Sequence, residues 1–323
     1  MSELRAPTLA EIRAARERLA GITLDTPTVR WTGAADAAVF VKLEMLQPIG
    51  SFKLRGAWNA MTSVAPELLG EGVYTASAGN MAQGVAYSAR TLGVPCTVIV
   101  PEGAPATKIA AIERLGGSVE RVPFDTWWRI LGDHGDARNA LFVHPFADTN
   151  VMAGNATIAL EVTERVPEVR TIIVPYGGGG LACGIAAGIR ALGHHARVLA
   201  CEAQTSTPLT QSLAAGMPMT ISHTRSFVDG MGGKSVFAEM WPLARELIAG
   251  TVTVSLDEIA GAVRTLVERH RVVAEGAGAA PVAAAAKIAA DEGPVVCIAS
   301  GGNLDTTTLV TILSGRTPEL PTQ

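Results

Sequence analysis

Short apolar runs alternate with amphipathic helical stretches over the first half of the chain. An N-terminal helix begins at the capping box formed by Thr8 and Glu11 and extends to about Leu19. Because strands and helices alternate at this spacing, the pattern beyond that helix predicts parallel βαβ units. The predicted strands lie at residues 39–46, 72–77, 95–100, 118–122 and 140–144, and the helices between the later strands lie at residues 80–92, 105–115 and 127–139.

The second half continues the alternation without a break in composition. No linker interrupts it, and no repeat of about 20–50 residues appears. The pattern therefore predicts an α/β protein with two open, mostly parallel α/β/α domains, the smaller inserted in the larger. Its predicted elements are helix 151–166, strand 171–175, helix 181–192, strand 197–202, helices 239–248, 257–270 and 279–291, strand 294–300 and a helix from about residue 305.

Composition and charge are those of a globular protein. Hydrophobic residues make up 48% of the 323 residues and charged residues only 17%, which is enough apolar material for two cores. The net charge of -4 and the lack of a Lys/Arg cluster argue against a nucleic-acid surface. The four cysteines are scattered without a CxxC pair, which favours reduced, buried thiols and a cytoplasmic location. They are Cys96, Cys183, Cys201 and Cys297.

A membrane location is not expected. The segment between Arg170 and Arg190 is uncharged, but it contains Pro175 and four consecutive glycines, which would be costly inside a membrane-spanning helix. This segment is better interpreted as strand, turn and helix. The N-terminus has no long apolar stretch and no cleavage signature, so export is not expected either.

Lys53 is the first candidate for chemistry. It lies in the sequence GSFKLRGA (residues 50–57), where a glycine-containing turn opens an apolar helix that ends near residue 64. Lysine occurs only five times in the chain, so a lysine at this corner needs an explanation. Apolar surroundings can lower the pKa of an amine enough to make it a nucleophile or a Schiff-base former. The alternative is an ordinary solvated lysine.

Residues 177–180 are four consecutive glycines between a buried strand and a helix start. Their N–H groups can converge on one point in front of the positive end of the helix dipole, which favours phosphate binding. Two other interpretations stay open. The spacing Gly177-x-Gly179-x-x-Ala182, with Glu202 closing the next strand, also fits a dinucleotide fingerprint. A tight turn that needs glycine for packing fits as well.

Two further strand-to-helix turns carry small polar residues. Residues 77–80 (SAGN) could hold a carboxylate at a helix N-terminus, and residues 300–303 (SGGN) could present a hydroxyl to a ring nitrogen. Either turn could instead be an ordinary helix cap. With Lys53 and the four glycines, these turns supply an amine, a carboxylate cradle, a phosphate cup and a hydroxyl. Those groups are what pyridoxal phosphate needs when it is bound to a lysine beneath an amino-acid substrate.

With these motifs, the chain resembles the tryptophan-synthase-β-like (fold type II) pyridoxal-phosphate enzymes, above all the serine/threonine dehydratases and serine racemase. The resemblance covers about residues 8–314 and implies a large cofactor-binding domain at residues 1–71 and 150–323. It also implies a small mobile domain at residues 72–149 that closes over the substrate. The motifs that occur in the family's order are GSFKLRGA (50–57), TASAGNMAQG (75–84), TIALE (157–161), VPYGGGGL (174–181), EGAGAA (275–280) and SGGN (300–303).

The resemblance also implies roles for single residues. Lys53 would be the Schiff-base lysine and the catalytic base, and Phe52 would lie against the cofactor ring. Asn80 would hold the ring oxygen, and Ser300 would hold the pyridine nitrogen. The phosphate would lie on Gly177, Gly178, Gly179 and Gly180, and the substrate would contact Ser77, Ala78, Gly79, Asn80, Met81 and Trp128.

Departures from the family pattern bear on the reaction. Met81 stands where the dehydratases have histidine, and Ala78 stands where serine racemase has a second serine, so racemisation should be slow. The family's divalent-ion site keeps an acid like Glu202, but the second acid is expected near Pro208, so no metal is predicted.

Trp127 and Trp128 lie where the family is polar, and they either line the cleft or pack in the core. We expect a dehydratase that converts L-β-hydroxy-α-amino acids to 2-oxo acids and ammonia and favours phenylserine-like side chains over threonine and serine. The alternatives are an ordinary threonine/serine ammonia-lyase, a serine racemase, a nicotinamide-dependent dehydrogenase and a non-catalytic amino-acid-binding protein. The expected partners are the amino-acid substrate and a second copy of the chain in a homodimer.

Overall fold

Two β-sheets organise the chain in a computed structural model that describes residues 4–32, 38–288 and 292–319. Their strands are β1 Thr28–Arg30, β2 Val39–Leu43, β3 Val73–Ala76, β4 Cys96–Pro101, β5 Ser118–Val122, β6 Leu141–Phe142, β7 Thr171–Pro175, β8 Arg197–Ala203, β9 Gly250–Val254 and β10 Val295–Ala299. The six-stranded sheet has the order β1-β2-β10-β7-β8-β9, and the four-stranded sheet has the order β5-β4-β3-β6. The described pairings are parallel except for β1 with β2.

Helices follow most of the strands. The first of them begins at the predicted capping box, where the side chain of Thr8 accepts from the N–H of Glu11. No helix within the described ranges is both long and apolar enough to span a bilayer. The helices are α1 Leu9–Leu19, α2 Lys53–Thr62, α3 Asn80–Leu92, α4 Ala106–Arg114, α5 Phe124–Gly132, α6 Thr149–Arg165, α7 Gly180–Ala191, α8 Pro208–Ala215, α9 Trp241–Leu247, α10 Leu256–Thr265, α11 Gly276–Ala285 and α12 Thr306–Leu313.

The central strands of the six-stranded sheet are buried on both faces. Residues of β7 alternate between two cores: Ile173 packs in the core that includes α10 and α11, while Ile172 and Val174 pack in the core that includes α6 and α7. Parallel strands covered by helices on both sides are expected to be nearly continuous apolar runs, as β10 is and as β7 is after Thr171. The predicted α/β class with parallel sheets is confirmed, and the four cysteines are buried and free.

The four-stranded sheet is formed by residues 73–142, between strands of the larger sheet along the chain. It lies inside the segment 72–149 that was expected to form the small domain, and the boundaries themselves stay a prediction. The turn after β3 carries Ser77, the turn after β7 carries the four glycines, and β10 ends next to Ser300. The three turns that were predicted to bind cofactor or substrate therefore all follow the carboxyl ends of strands, where open α/β sheets bind ligands.

Some element boundaries differ from the sequence prediction. Helix α5 begins at Phe124 and ends at Gly132, earlier than the predicted 127–139, and β6 covers only Leu141–Phe142 of the predicted 140–144. The predicted helix 257–270 ends as an α-helix at Thr265 and continues as a π-helical turn to His270. Strands β1 and β9 and helix α8 were not predicted. Helix α11 begins at Gly276 and ends at Ala285, earlier at both ends than the predicted 279–291, of which residues 289–291 lie outside the described residues.

Candidate active site

Lys53 is the first residue of α2 and lies where the ends of two sheets approach each other. The N–H of Phe52 donates to the carbonyl of Ser300 (2.9 Å), which holds the start of α2 against the end of β10. The Nζ of Lys53 donates to the carbonyl of Pro145 (2.5 Å) and lies 5.2 Å from the centre of the Phe52 ring. The predicted amine, aromatic ring and hydroxyl residue are thus neighbours.

The amine of Lys53 has an environment unlike that of a solvated lysine. Burial lowers the pKa of Lys53 to about 8. With that value, about one amine in ten is neutral at pH 7 and about half at pH 8. A neutral amine is the form that attacks an aldehyde or accepts a proton from carbon, so this corner suits a reactive lysine.

The glycine loop (residues 177–180) forms a cup in front of α7. The N–H groups of these glycines donate to no acceptor within the part of the chain that the structure describes, and they face the positive end of a 12-residue helix. Gly179, the N-cap, has a φ of 92°, which favours glycine. A β-carbon on Gly178 would lie 2.3 Å from the Phe146 ring. Free N–H groups at a helix start fit a phosphate.

The turn of residues 77–80 is joined to the turn that follows β10. Asn80, the first residue of α3, donates through Nδ2 to Oε1 of Glu275 (2.8 Å), and its Oδ1 accepts from Nδ2 of Asn303 (2.8 Å). The Oγ of Ser77 accepts from the N–H of Gly79 (3.2 Å). A cleft of about 510 Å³ lies beside this junction, and Gly79, Asn80, Glu275 and Asn303 are among its lining residues.

Glu275 is a buried acid that the sequence reasoning did not identify as a site residue. It is the N-cap residue of α11 and is 5% exposed. Burial, and then the nearby charge of Asp229, raise the pKa of Glu275 to about 8, against the opposing effects of Asn80 and Lys108. Most Glu275 carboxyl groups are therefore protonated at pH 7. The sequence signal was the EGAGAA motif (275–280), in which the acid had no assigned role.

His144 stabilises the backbone segment whose Pro145 carbonyl accepts a hydrogen bond from the Lys53 amine. Its Nδ1 accepts from the N–H groups of Phe146 (3.2 Å) and Ala147 (2.7 Å), so the ring proton belongs on Nε2. Burial is the main cause that lowers the pKa of His144 to about 3, and the ring stays neutral in ordinary buffers. The neutral ring therefore clamps the segment 144–147, including the Pro145 carbonyl.

His134, His144 and Glu239 bring three potential metal-ligand atoms within 4.8 Å of one another. The two imidazole rings, however, stack with centroids 4.4 Å apart and planes 25° apart. Imidazole lone pairs lie in the ring plane, so nearly parallel stacked rings cannot both direct one at a single ion. His144 also uses Nδ1 for backbone contacts, and His134 Nε2 pairs with Glu239 (2.7 Å). This geometry favours a structural cluster over a metal centre.

Met81, Trp127 and Trp128, which the sequence placed near the substrate side chain, differ in how far they are buried. Met81 is 1% exposed and packs in the core that contains Ala57 and Val85. Trp127 is partly buried and packs against the core around Tyr74. Trp128 is 45% exposed, and it alone of these three is substantially open to solvent.

The arrangement fits an α/β enzyme with a reactive lysine beside a loop that can bind an anion. The amine, the cup of free N–H groups and the Ser300 corner fit a cofactor that carries an aldehyde, a ring and a phosphate. The chain belongs to the family described as "Pyridoxal-phosphate dependent enzyme", whose profile matches residues 20–301. Pyridoxal phosphate is therefore its cofactor, as the sequence predicted.

Named relatives agree with this assignment. The chain is 42% identical over 279 residues to an L-threonine ammonia-lyase from Geobacter sulfurreducens, covering 85% of this chain and 69% of the relative. The structure of maize serine racemase matches with a TM-score of 0.86 and 31% identity, covering 96% of this chain and 98% of that one. Threonine deaminase isoform 2 from Solanum lycopersicum matches with a TM-score of 0.83 and 28% identity, covering 96% of both chains. The predicted family and fold type are confirmed.

Proposed function

We propose that this chain is a pyridoxal-phosphate-dependent dehydratase that converts L-β-hydroxy-α-amino acids to 2-oxo acids and ammonia. The observation that carries this proposal is the Lys53 amine, whose pKa is about 8 and whose Nζ donates to the Pro145 carbonyl. Relatives named L-threonine ammonia-lyase and threonine deaminase support this class of reaction. The expected homodimer and cytoplasmic location stay predictions.

Each part of the site has a role in this reaction. The cofactor supplies the electron sink that acidifies the substrate Cα. Asn80, Ser300 and the N–H groups of the glycine loop would hold it. In the turn at residues 77–80, the N–H groups of Ala78 and Asn80 have no acceptor among the described residues, and they would bind the substrate carboxylate, which orients Cα towards Lys53. The neutral amine of Lys53 would take the Cα proton, a role worth ~10²–10⁴ in rate. The Pro145 carbonyl would then accept a hydrogen bond from the resulting ammonium.

Bulky or aryl side chains are the preferred substrates in this proposal. Trp128 lies beside Phe237, with ring centroids 5.5 Å apart, so aromatic groups from two parts of the chain meet there. Aromatic contacts add ~0.5–1.5 kcal/mol beyond the effect of buried area. Met81, which lies in the core, is not part of this proposal.

The test is a comparison of kcat/KM for 2-oxo acid release from L-threo-phenylserine, L-threonine and L-serine. Wild type should prefer phenylserine, Trp128→Ala should reduce that preference, and Lys53→Ala should lose both the visible absorption of lysine-bound cofactor and all product. A preference for threonine would make the chain an ordinary serine/threonine deaminase. A cofactor-loaded protein that binds these amino acids without releasing any 2-oxo acid would refute the dehydratase and favour a binding protein.

A further inference from the structure

Four aromatic side chains form a row from the glycine loop to the surface. The rings of Phe146 and Phe237 have centroids 4.6 Å apart with planes at 61°, and the Phe237 and Trp128 centroids are 5.5 Å apart. Trp128 is followed by Phe124, at 6.3 Å, which is 60% exposed. We call these residues the aromatic row. Its outer end faces solvent.

The inner end of the row adjoins the reactive amine. Phe146 follows Pro145, whose carbonyl accepts from the Lys53 amine, and its ring lies against Gly178 of the glycine loop. The neutral His144 ring accepts from the Phe146 N–H and meets the Phe146 ring edge-on, with centroids 4.6 Å apart. Phe146 is therefore held in a fixed position beside the reacting centre.

Phe237 reaches this place from a different part of the chain. It lies between α8 and α9, whereas Trp128 belongs to α5, which packs on the four-stranded sheet. Glu239, two residues further on, pairs with Nε2 of His134 (2.7 Å), and this contact fixes the segment against the end of α5. Phe146 and Phe237 are both partly buried and pack against the edges of two buried clusters, so neither residue is fully enclosed. Two rings that meet edge to face leave an apolar corner that suits a third ring.

We propose that Phe146 and Phe237 form the subsite for the substrate side chain and that Phe237 is its specificity-determining residue. The subsite selects amino acids with an aryl group on Cβ, because that ring packs against both phenyl groups while Cα lies near Lys53. This inference rests on the proposed function, since both use the same amine and the same bound amino acid.

The experiment measures binding of two unreactive amino acids to the cofactor-loaded protein. L-phenylalanine and L-alanine lack the β-hydroxyl leaving group, so their dissociation constants can be read from the change in cofactor absorption without turnover. Wild type should bind L-phenylalanine on the order of tenfold or more tighter than L-alanine, as expected for burial of a phenyl group. Phe237→Ala should reduce that ratio about tenfold. The matched control, Phe124→Ala at the outer end of the row, should leave it within about twofold.

A second variant keeps the test informative if Phe237→Ala does not fold. Phe237→Leu retains apolar volume but removes the ring, and about a threefold loss of the preference is expected. A folded Phe237 variant with wild-type cofactor absorption and an unchanged ratio would overturn the subsite.

The measurements distinguish failure of the dehydratase proposal from failure of the subsite proposal. A ratio that collapses in Phe237→Ala, in a protein that forms no 2-oxo acid, would keep the subsite and reject the reaction. Product formation with an unchanged ratio would reject the subsite alone.

Discussion

At the residue scale, Lys42 and Lys53 both point inward but differ in the groups that surround their amines. Lys42 is fully buried, and its Nζ contacts Glu161, Asp25 (3.3 Å) and the Thr26 carbonyl (2.6 Å), so its charge is compensated and structural. Lys53 contacts the Pro145 carbonyl and has no ion-pair partner among the described residues. Desolvation without an opposite charge lowers the pKa of an amine, and this difference favours Lys53 over Lys42 as the reactive lysine.

The lowered pKa of Lys53 predicts how the cofactor-free protein takes up pyridoxal phosphate. Only the neutral amine attacks the aldehyde, and with a pKa of about 8 its neutral fraction rises from about one tenth at pH 7 to about nine tenths at pH 9. The second-order rate constant for the rise of visible absorption should therefore increase about tenfold between these pH values and then level off. A rate constant that kept rising to pH 10.5, as for a solvated lysine, would show that burial does not lower the pKa of Lys53.

The sequence pointed to candidate site residues where a motif surrounds them, and it did not point to the candidates that only the fold brings together. Lys53, Asn80 and Ser300 each lie at a strand-to-helix turn, and local sequence is enough to indicate such turns. Glu275 begins the EGAGAA motif, but its place in the site did not follow from the motif, because its hydrogen-bond partner Asn80 is 195 positions away. Phe237 was missed for the same reason. Its neighbours Phe146 and Trp128 come from distant elements, and no periodicity in its own segment indicates them.

At the element scale, α8 shows an acid used as a helix cap. The Oε1 of Glu202 accepts from the N–H of Leu209 (2.8 Å), and its Oε2 accepts from the N–H (2.8 Å) and the Oγ1 (2.6 Å) of Thr210. Pro208 occupies the first turn of the helix, where its missing N–H costs nothing. Both carboxylate oxygens of Glu202 therefore accept hydrogen bonds from the first turn of α8. A divalent ion bound to Glu202 would have to replace these hydrogen bonds.

We therefore predict that Glu202 stabilises the fold without a metal. Glu202→Ala should lower the free energy of unfolding by ~1–3 kcal/mol, because it leaves buried N–H groups without an acceptor. The measurement is urea unfolding, with Glu102→Ala as an exposed control, in the presence and absence of EDTA. A chelator-induced loss of stability in wild type that disappears in Glu202→Ala would instead show that Glu202 binds an ion.

The elements themselves were predicted best where both strand and helix signals are strong. The bounds of α3, β5 and β7 match, because apolar runs and turn residues agree there. The prediction for α5 started late because its first turn, Phe124-Asp125-Thr126, lacks an apolar repeat, although Pro123 precedes it as N-cap residue. Strand β9 was missed because Gly250–Val254 is a short edge strand, and its pairing with β8 is a tertiary contact.

At the scale of the whole molecule, polar contacts join the part of the chain that builds the four-stranded sheet to the later segments. Asn80 bonds Glu275, Lys108 pairs with Asp229 (2.5 Å), and His134 pairs with Glu239. The last two are at least partly exposed to solvent, so each should contribute little to stability. In the Asn80–Glu275 contact the acid is buried, so the energy of this contact depends on whether Glu275 is ionised.

Glu275 therefore predicts a pH dependence for the stability of the cofactor-free protein. Its pKa is about 8 in the folded chain, against 4.5 as the ordinary value, so the folded state holds a proton that the unfolded state releases between these values. The stabilising contribution is fully present below about pH 4.5, declines as pH rises and is lost above about pH 8. Glu275→Gln keeps an oxygen acceptor for Asn80 and cannot ionise, so it removes this dependence.

The measurement compares urea unfolding of wild type and Glu275→Gln at pH 5 and pH 9, with Glu102→Gln as an exposed control. The stability of wild type relative to Glu275→Gln should be lower at pH 9 than at pH 5, by up to a few kcal/mol. Glu102→Gln should differ from wild type by the same small amount at both pH values. If the difference between wild type and Glu275→Gln were also the same at both, Glu275 would be ionised throughout. The contact between Asn80 and Glu275 would then contain an ionised carboxylate, and burial would not raise the pKa of Glu275.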